Sequence, residues 1–556
     1  MNTNKFYKIV QTLSQGSISS VQSGRDLNDL DKYLHIKRNI EDILCAEMNK
    51  LNESKGGIVL LIGSAGDGKS HLVSTIRNRP EFKDFVFYND ATESFSPSKT
   101  AVDTLKEVLI NFSDENIGIT SSKMLLNINH GKLNAFIEDS ESRIRYSKLI
   151  NYISMIYEDG RRELPTNPRI KIVQFNNVQI FNFFKDRLDI DYPVDSTFLR
   201  TYLEKITAKD DANPFYQAYL ESKPIDESKV DPLFLNYEIL QLPAIQDSII
   251  KYTIEAIIRF KLIVTPREFQ DFIYSILVFE DAEEYSESNH FVEALLPTLM
   301  FNGTRSKMQR FLSQLDPLKA SNTLHDSDLA LLFTSPQIPE GYIDASLFPI
   351  DSLIMTKVAS MYKNNRKNVM RTTQFLFRLK HLCYYHSEKE EYREFLKILL
   401  GFFNYNGQTI HKLYDMVHNV IPRHYGSYTR PENTVPLNIQ GSHYKLFVTI
   451  DKPKPGTPSV MYQESSIFSL KLILKWRIGG DDVCLPVDYS LYEYLSSLDK
   501  GRLSLNYESD KNLTFSRFIR KLVSHSNCED EVIIMTSDNR KFKFSKEFNI
   551  LSFRPC

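Results

Sequence analysis

Residues 63–70 have the types and the spacing that bind a phosphate chain. Their sequence, Gly-Ser-Ala-Gly-Asp-Gly-Lys-Ser, matches the phosphate-loop pattern G-x-x-x-x-G-K-[ST] at every fixed position. Glycines in such a loop let backbone N–H groups approach phosphate oxygens closely, and the lysine reaches the β- and γ-phosphates. The serine hydroxyl is a ligand for Mg²⁺, a hard ion that needs few protein oxygens. We therefore expect Lys69 and Ser70 to bind ATP together with Mg²⁺.

The segments on either side of this loop agree with that interpretation. An apolar run at 57–62 leads directly into the loop, and residues 69–77 contain no Gly or Pro. A strand followed by a helix directs backbone N–H groups and the positive end of the helix towards one anion. The residues expected to contact the nucleotide are the loop and the residue after it, namely Gly63, Ser64, Ala65, Gly66, Asp67, Gly68, Lys69, Ser70 and His71.

A second metal ligand is expected at the end of another strand. Asp90 follows the predicted strand 85–88 by two residues, at the strand end where open α/β sheets bind ligands. We predict Asp90 as the acid of the Mg²⁺ site, with Glu93 in support. The alternative, that both acids cap the following turn, stays open. Asp114 is a weaker candidate, because residues 115–122 are too few for the crossover of about a dozen residues between parallel strands, and we interpret it as part of a helix end.

Two further polar residues are candidates for catalysis. Asn129 ends the predicted strand 124–129 and could polarise a water or contact the γ-phosphate; a turn before Gly131 is the alternative. Arg267 lies in the segment Thr-Pro-Arg-Glu, which predicts a capped helix start, and could reach phosphate from a helical lid. A solvated surface arginine is the alternative there. The predicted catalytic set is Lys69, Asp90, Glu93, Asn129 and Arg267.

The pattern along the chain indicates the α/β fold class. Short apolar strands at 57–62, 85–88, 124–129 and 170–175 alternate with helical segments, as a parallel sheet covered on both faces requires. We predict a P-loop NTPase domain, AAA-like in organisation, then a mainly helical region and a small C-terminal α+β domain. The expected segments are a helical lead-in (1–55), the NTPase core (56–200), a helical lid with an irregular insertion near 207–232 (201–300), a helical domain (301–430) and the α+β domain (431–556).

The composition is that of an ordinary globular protein. The 556 residues are 42% apolar, and no window approaches the ~18 to 20 uninterrupted apolar residues of a membrane span, so we expect a cytoplasmic protein without membrane contact. The five cysteines include no C-x-x-C pair, which argues against a disulfide framework or a zinc ribbon.

The charge balance bears on nucleic-acid partners. The formal net charge is −2, so any DNA contact must be local or made through partner proteins. Lys471, Lys475 and Arg477 share one face of a predicted strand and could touch phosphates, although a solvated outer face is the alternative. We recognise no nuclease centre in the sequence.

Several stretches of the chain resemble one family. They are the region from Leu34 through the phosphate loop to Leu72, and the segments 88–97, 112–116, 128–133, 265–268 and 488–492. Together they resemble the F components of DNA phosphorothioation-dependent restriction systems (DptF, also called DndF), over nearly the whole chain. The segment 89–97, joined to the loop, is the distinctive part, because the loop alone occurs in many families.

That resemblance implies an ATPase subunit that acts with two further proteins, the G and H components. Such a complex restricts incoming DNA that lacks sulfur in its backbone. The resemblance places ATP on residues 63–70 and leaves open whether Asp90, Glu93 or Asp114 handles the metal. Two other interpretations remain: a nucleotide-gated scaffold with negligible turnover, and a signalling P-loop ATPase without a restriction role. A homo-oligomer is compatible with each of them.

Overall fold

The computed structural model describes most of the chain. The described residues are 4–14, 28–54, 56–64, 66–88, 100–158, 167–175, 180–183, 194–225, 231–279, 291–319, 323–349, 352–364, 366–385, 390–425, 434–437, 444–449, 454–455, 459–464, 467–478, 481–504, 512–525, 531–547 and 550–555. They form two compact units, the first made of 1–181, 196–254 and 264–386, and the second of 182–195, 255–263 and 387–556. Each unit is described separately below.

A four-stranded parallel sheet is the centre of the first unit. Its strands are β1 (Gly57–Gly63), β2 (Phe85–Tyr88), β3 (Lys123–Asn129) and β4 (Ile170–Gln174), in the spatial order β2-β3-β1-β4. All residues of β1 are buried, as expected for an inner strand of a parallel sheet covered on both faces. The strand that leads into the phosphate-loop motif is therefore an inner strand of this sheet.

Helices cover both faces of the sheet. After α1 (Lys5–Gln11) and α2 (Asp29–Leu34), which pack against the helical remainder of this unit, these helices are α3 (Asn39–Glu53), α4 (Lys69–Arg77), α5 (Ala101–Val108), α6 (His130–Glu138), α7 (Ser140–Arg145) and α8 (Ser147–Glu158). Ile58, Leu60 and Ile62 of β1 face a core shared with α5, α6 and α8. Val59 and Leu61 face the opposite core, which α3 and α4 complete. The alternation of side chains along a strand thus divides β1 between two apolar layers.

The remainder of the first unit is mainly helical. Its helices are α9 (Thr197–Thr207), α10 (Pro214–Ser222), α11 (Pro232–Leu240), α12 (Pro243–Phe260, which continues into the second unit), α13 (Pro266–Leu277), α14 (Leu296–Asn302), α15 (Lys307–Leu312), α16 (Thr323–Thr334), α17 (Leu353–Asn364) and α18 (Arg366–Cys383). Asn236 of α11 is buried, and its amide donates to the carbonyls of Leu277 and Ala294 at 3.0 and 2.9 Å. These bonds hold the carboxyl end of α13, the helix that begins near residue 66.

The second unit combines helices with antiparallel strands. Its helices are α19 (Glu390–Phe403), α20 (Gly407–His424), α21 (Tyr489–Asp499) and α22 (Leu513–Ser524). Its strands are β5 (Asn182–Phe183), β6 (Val194–Asp195), β7 (Thr434–Pro436), β8 (Tyr444–Thr449), β9 (Lys454–Pro455), β10 (Ser459–Glu464), β11 (Ile467–Ile478), β12 (Asp481–Val487), β13 (Glu531–Thr536), β14 (Lys541–Glu547) and β15 (Ile550–Pro555). One sheet has the order β15-β14-β13-β8-β7, a second contains β10, β11 and β12, and β9 pairs with β11.

The single tryptophan lies in the core of the second unit. Trp476 is 4% exposed, and its ring centroid is 4.8 Å from that of Tyr414 and 4.7 Å from that of Phe518. On the opposite face of the same strand, Lys471 and Lys475 are half-buried and Arg477 is exposed. The strand predicted around Lys471, Lys475 and Arg477 is therefore confirmed, with these three residues on one face.

The coarse fold class is confirmed, and one local prediction is wrong. The molecule is α/β, with a four-stranded parallel sheet, a large helical part and C-terminal antiparallel sheets. The irregular insertion expected near 207–232 instead contains α10, whose first turn is capped because Asn213 accepts the N–H of Phe215 at 2.9 Å. The finer division into five segments stays a prediction. Among the helices of the described part of the chain, none combines the length and the apolar character needed to cross a bilayer.

Candidate functional site

The candidate site lies at the carboxyl end of β1, between two parallel neighbours. In the sheet register Gly63 pairs with Asn129 of β3, and Ile62 pairs with Gln174 of β4. Parallel strands bring their carboxyl ends to one edge of a sheet, which is where open α/β sheets bind ligands. The phosphate-loop motif therefore begins at the edge where this fold class places its ligand sites.

Three glycines have backbone or packing reasons to lack a side chain. Gly66 and Gly68 have φ angles of +86° and +95°, in the left-handed region that favours glycine. A Cβ on Gly63 would lie 2.6 Å from Cβ of Phe175 and 2.8 Å from Oδ2 of Asp67. The glycine spacing of the motif is thus required by the folded loop itself.

The loop positions its own lysine. Lys69 is 7% exposed, and its ammonium donates a hydrogen bond to the carbonyl oxygen of Ser64. The carboxylate of Asp67 accepts the backbone N–H of Ser64 at 2.5 Å. Side chains from the second half of the loop therefore bind the polar backbone groups of its first half.

Asp67 is the acid inside this loop. Burial raises the pKa of its carboxyl, because the charged form loses solvation. The groups that lower this pKa instead are the Lys69 ammonium, the Ser64 N–H, Arg38 and His130. Asp67 is therefore a partly buried acid among several positive or donor groups.

Arg38 joins the loop from the segment before α3. Its Nη1 donates to the carbonyl oxygen of Asp67 at 3.0 Å, and its guanidinium carbon lies 5.3 and 5.4 Å from the ring centroids of Phe175 and Phe198. Burial lowers the pKa of Arg38 to about 10, so the group stays charged at neutral pH. A charged guanidinium that also contacts two aromatic rings therefore holds the loop at the Asp67 carbonyl.

Ser70 contacts an amide of the neighbouring strand. The side-chain amide of Asn127, in β3, donates to Oγ of Ser70 at 3.3 Å, and Asn127 is 3% exposed. The hydroxyl expected to hold Mg²⁺ is therefore oriented by a neutral side chain.

Asn129 caps a helix. Its side-chain oxygen accepts the N–H of Lys132 at 2.9 Å, at the start of α6. The structure thus shows a helix cap in place of the turn before Gly131 that the sequence left open, at a position that pairs with Gly63 of the neighbouring strand. A role of Asn129 in catalysis stays a prediction.

The start of α13 lies against the loop. Thr265 caps this helix in a capping box with Glu268, as the sequence predicts. A Cβ added to Gly66 would lie 3.2 Å from Oγ1 of Thr265. Arg267 is half-buried in the first turn of the same helix. The structure therefore brings the Thr-Pro-Arg-Glu segment next to the phosphate-loop motif.

A partly buried chain of polar side chains runs from His71 to Glu41 of α3. Nε2 of His71 lies 2.9 Å from Nδ1 of His35, and Nε2 of His35 lies 3.1 Å from Oε2 of Glu41. The other oxygen of Glu41 accepts a hydrogen bond from Arg79, and the Glu41 side chain is 3% exposed. Burial lowers the pKa of His71 to about 4, so this imidazole is neutral near pH 7.

Some predicted site residues cannot be placed. Ala65, Asp90 and Glu93 lie outside the described residues, so their roles stay predictions. The strand before Asp90, β2, pairs with β3 and does not touch β1. Asp114 follows a short 3-10 helix and accepts the N–H of Ser147 at 2.9 Å, which confirms that it does not end a strand.

Comparisons with known proteins identify no relative. No family model matches the chain, and neither a curated protein nor a solved structure is significantly similar to it.

Three residues of the site were missed by sequence reasoning. Arg38 and His35 precede an ordinary amphipathic helix, and Asn127 lies within a strand between apolar residues. Of the three, Asn127 alone gives a signal in the sequence. It is a polar residue in an otherwise apolar strand, and such a residue needs a hydrogen-bond partner when it is buried. The contacts of Arg38 and His35 depend entirely on tertiary structure.

Proposed function

We propose that this protein binds ATP with Mg²⁺ on residues 63–70 and hydrolyses it. The observation that carries the proposal is the loop itself. It follows an inner parallel strand, requires glycine at Gly66 and Gly68, and holds the ammonium of Lys69 in a buried position. This combination of a glycine cradle, a buried lysine and a following helix suits a phosphate chain.

The residues of the loop fit such a ligand. The helix that begins at Lys69 directs its positive end towards the loop, and no side chain projects from Gly66 or Gly68 into the cradle. Lys69 would hold the β- and γ-phosphates, and Ser70 would supply an oxygen to Mg²⁺. When bound, Mg²⁺ neutralises phosphate charge and orients the phosphate chain.

Four more residues enter the proposal. Asn129 and the start of α13 both lie at the carboxyl edge of β1, so a water-orienting role for Asn129 and a lid role for Arg267 are compatible with their places. Asp90, with Glu93, is proposed as the acid of the metal site. The first turn of α13 would then close over the phosphate chain when ATP binds.

We further propose that this ATPase is the energy-converting subunit of a DNA phosphorothioation-dependent restriction complex. The support is the resemblance carried by the loop and by residues 88–97, 112–116, 128–133, 265–268 and 488–492. In such a complex the G and H components would join this chain, and DNA would be contacted directly or through them. Restriction by the complex would spare sulfur-modified DNA.

The binding step is tested by calorimetry. Wild-type protein should bind ATP in the presence of Mg²⁺, and Lys69→Ala should lose binding because the ammonium on the phosphates is gone. A fold control is the thermal unfolding temperature of both proteins. Absence of heat with ATP and with GTP for correctly folded wild type would refute nucleotide binding.

The role in restriction needs a separate experiment. ATP hydrolysis should rise when the protein is combined with the G and H components and unmodified DNA, and should rise less with phosphorothioated DNA. Co-purification with unrelated proteins and without those components would support a signalling ATPase instead.

One observation favours the second candidate function, a nucleotide-gated scaffold. The Ser70 hydroxyl accepts a hydrogen bond from the neutral side-chain amide of Asn127 at 3.3 Å, not from an ionised group. A scaffold would bind ATP and close without turnover. Its signature would be ATP-dependent partner binding at a hydrolysis rate that stays at background with every component and DNA present.

A further inference from the structure

The loop at residues 63–70 contains an acid where a phosphate-binding loop would be expected to present only donors. The carboxylate of Asp67 accepts the Ser64 N–H at 2.5 Å, so it takes a backbone donor of the loop. The same carboxylate oxygen lies 2.8 Å from the place where a Cβ on Gly63 would be, and Cδ of Lys69 lies 3.2 Å from that place. The Asp67 carboxylate and the Lys69 stem therefore lie together inside the bend of the loop.

The charges around Asp67 come from three parts of the fold. Lys69 belongs to α4, Arg38 precedes α3, and His130 begins α6, and each favours the ionised form of Asp67. Arg38 also donates to the backbone carbonyl of Asp67 at 3.0 Å. The Asp67 carboxylate therefore already balances part of the positive charge of Lys69 and Arg38.

The Asp67 carboxylate, inside the loop, would repel the negatively charged phosphate chain of a nucleotide. Two like charges several ångströms apart repel strongly in a partly desolvated site, because protein and not water lies between them. The carboxylate also attracts the Lys69 ammonium, which the phosphates would need for themselves.

We propose that Asp67 is an affinity-setting residue of the nucleotide site, whose carboxylate competes with the phosphate chain of the nucleotide for Lys69 and for the interior of the loop. This inference rests on the proposed nucleotide binding and goes beyond it, because it assigns a negative contribution to a residue inside the motif. The carboxylate keeps the affinity of the loop for a nucleoside triphosphate moderate.

The test is the substitution Asp67→Asn. Asparagine has nearly the same shape and can still accept the Ser64 N–H through Oδ1, so the loop keeps its hydrogen bond while the negative charge is replaced by a neutral amide. Calorimetry should give a dissociation constant for ATP about tenfold lower than that of the wild type, since one removed repulsion of this kind is worth roughly a factor of ten. The gain should be smaller for ADP and absent for adenosine, which carries no phosphate.

A matched control removes a negative charge elsewhere in the same unit. Asp84 is exposed and precedes β2, at the amino end of the sheet, so Asp84→Asn should leave all three dissociation constants unchanged. Thermal unfolding of Asp67→Asn should match the wild type and so exclude misfolding as a cause.

The outcomes separate this inference from the proposed function. If wild type binds ATP and Asp67→Asn binds it equally or more weakly, the competition is refuted while nucleotide binding stands. If Asp67→Asn binds ATP measurably where the wild type does not, the competition is supported in its strongest form. If neither protein binds any nucleotide, both proposals fall.

Discussion

Gly66 and Thr265 lie next to each other, although they are far apart in sequence, and the space between them is too small for a side chain on Gly66 without some adjustment. A Cβ on Gly66 would lie 3.2 Å from Oγ1 of Thr265, the residue that caps α13. The phosphate-loop motif and the first turn of this helix therefore share one surface. We therefore expect a change in the shape of the loop to shift the first turn of α13, which carries Arg267.

Gly66→Ala tests this contact. The substitution places a methyl group against Thr265 at a φ of +86°, which non-glycine residues rarely adopt, so we expect the loop to shift and ATP binding to fall by at least about tenfold. The matched control is Gly118→Ala, because a Cβ at Gly118 meets nothing within 4 Å. Calorimetry on both variants is the measurement. Equal ATP affinity in the two variants would show that the loop tolerates a side chain at residue 66.

Arg38→Met removes the donor that holds the Asp67 carbonyl and keeps much of the apolar contact with Phe175 and Phe198. A hydrogen bond from a charged group contributes about 1.5–3 kcal/mol, here to the conformation of the loop. In the variant, ATP binding would have to supply this free energy, so ATP affinity should fall by roughly tenfold or more. Arg38→Lys keeps the charge and should recover part of the loss. If Arg38→Met binds ATP like the wild type, the arginine serves packing alone. Dissociation constants for ATP are the quantity to compare.

Glu41→Gln removes the buried charge that links His35 and Arg79. The glutamate side chain is 3% exposed, and removal of one charge leaves the Arg79 guanidinium without its ionic partner. We expect the free energy of unfolding, measured by circular dichroism in urea, to fall by about 1–3 kcal/mol. Glu47→Gln, on the same helix, breaks only an ion pair with the exposed Lys50 and should cost at most about 1 kcal/mol. A similar loss in both variants would contradict the importance of burial.

The buried His424 predicts a dependence of stability on pH in the second unit. Burial lowers its pKa from 6.5 to about 4, while Tyr494 and Ser516 bind its ring nitrogens at 2.7 and 3.1 Å. Between these two pH values the unfolded chain binds a proton at this residue and the folded unit does not. Stability is therefore complete above about pH 6.5 and falls as the pH decreases towards 4.

The measurement for this prediction is urea unfolding followed by the fluorescence of Trp476, the single tryptophan of the chain. His424→Gln should make the loss of stability between pH 6.5 and 4 smaller by the contribution of one proton. His411 is exposed on the same helix, and His411→Gln should leave the loss of stability between pH 6.5 and 4 unchanged. An unchanged pH slope in His424→Gln would mean that other groups account for the whole effect.

The elements nearest the motif could be predicted from sequence because local rules produce them. The strand before the loop, the helix after it and the capping box at Thr265 arise from residues a few positions apart, through side-chain periodicity and backbone hydrogen bonding. The same kind of signal was overlooked at Asn213 and Pro214, where a cap and a proline begin α10 inside a segment expected to be irregular.

What the sequence by itself determined is the loop, with its glycines, Lys69 and Ser70, on a strand of an α/β sheet. Only the tertiary structure decided that β3 lies beside β1, that Asn127 therefore contacts Ser70, and that Thr265 contacts Gly66. The physical reason is that such neighbours are set by strand order and by the packing of whole apolar layers, and these depend on residues far apart in the chain.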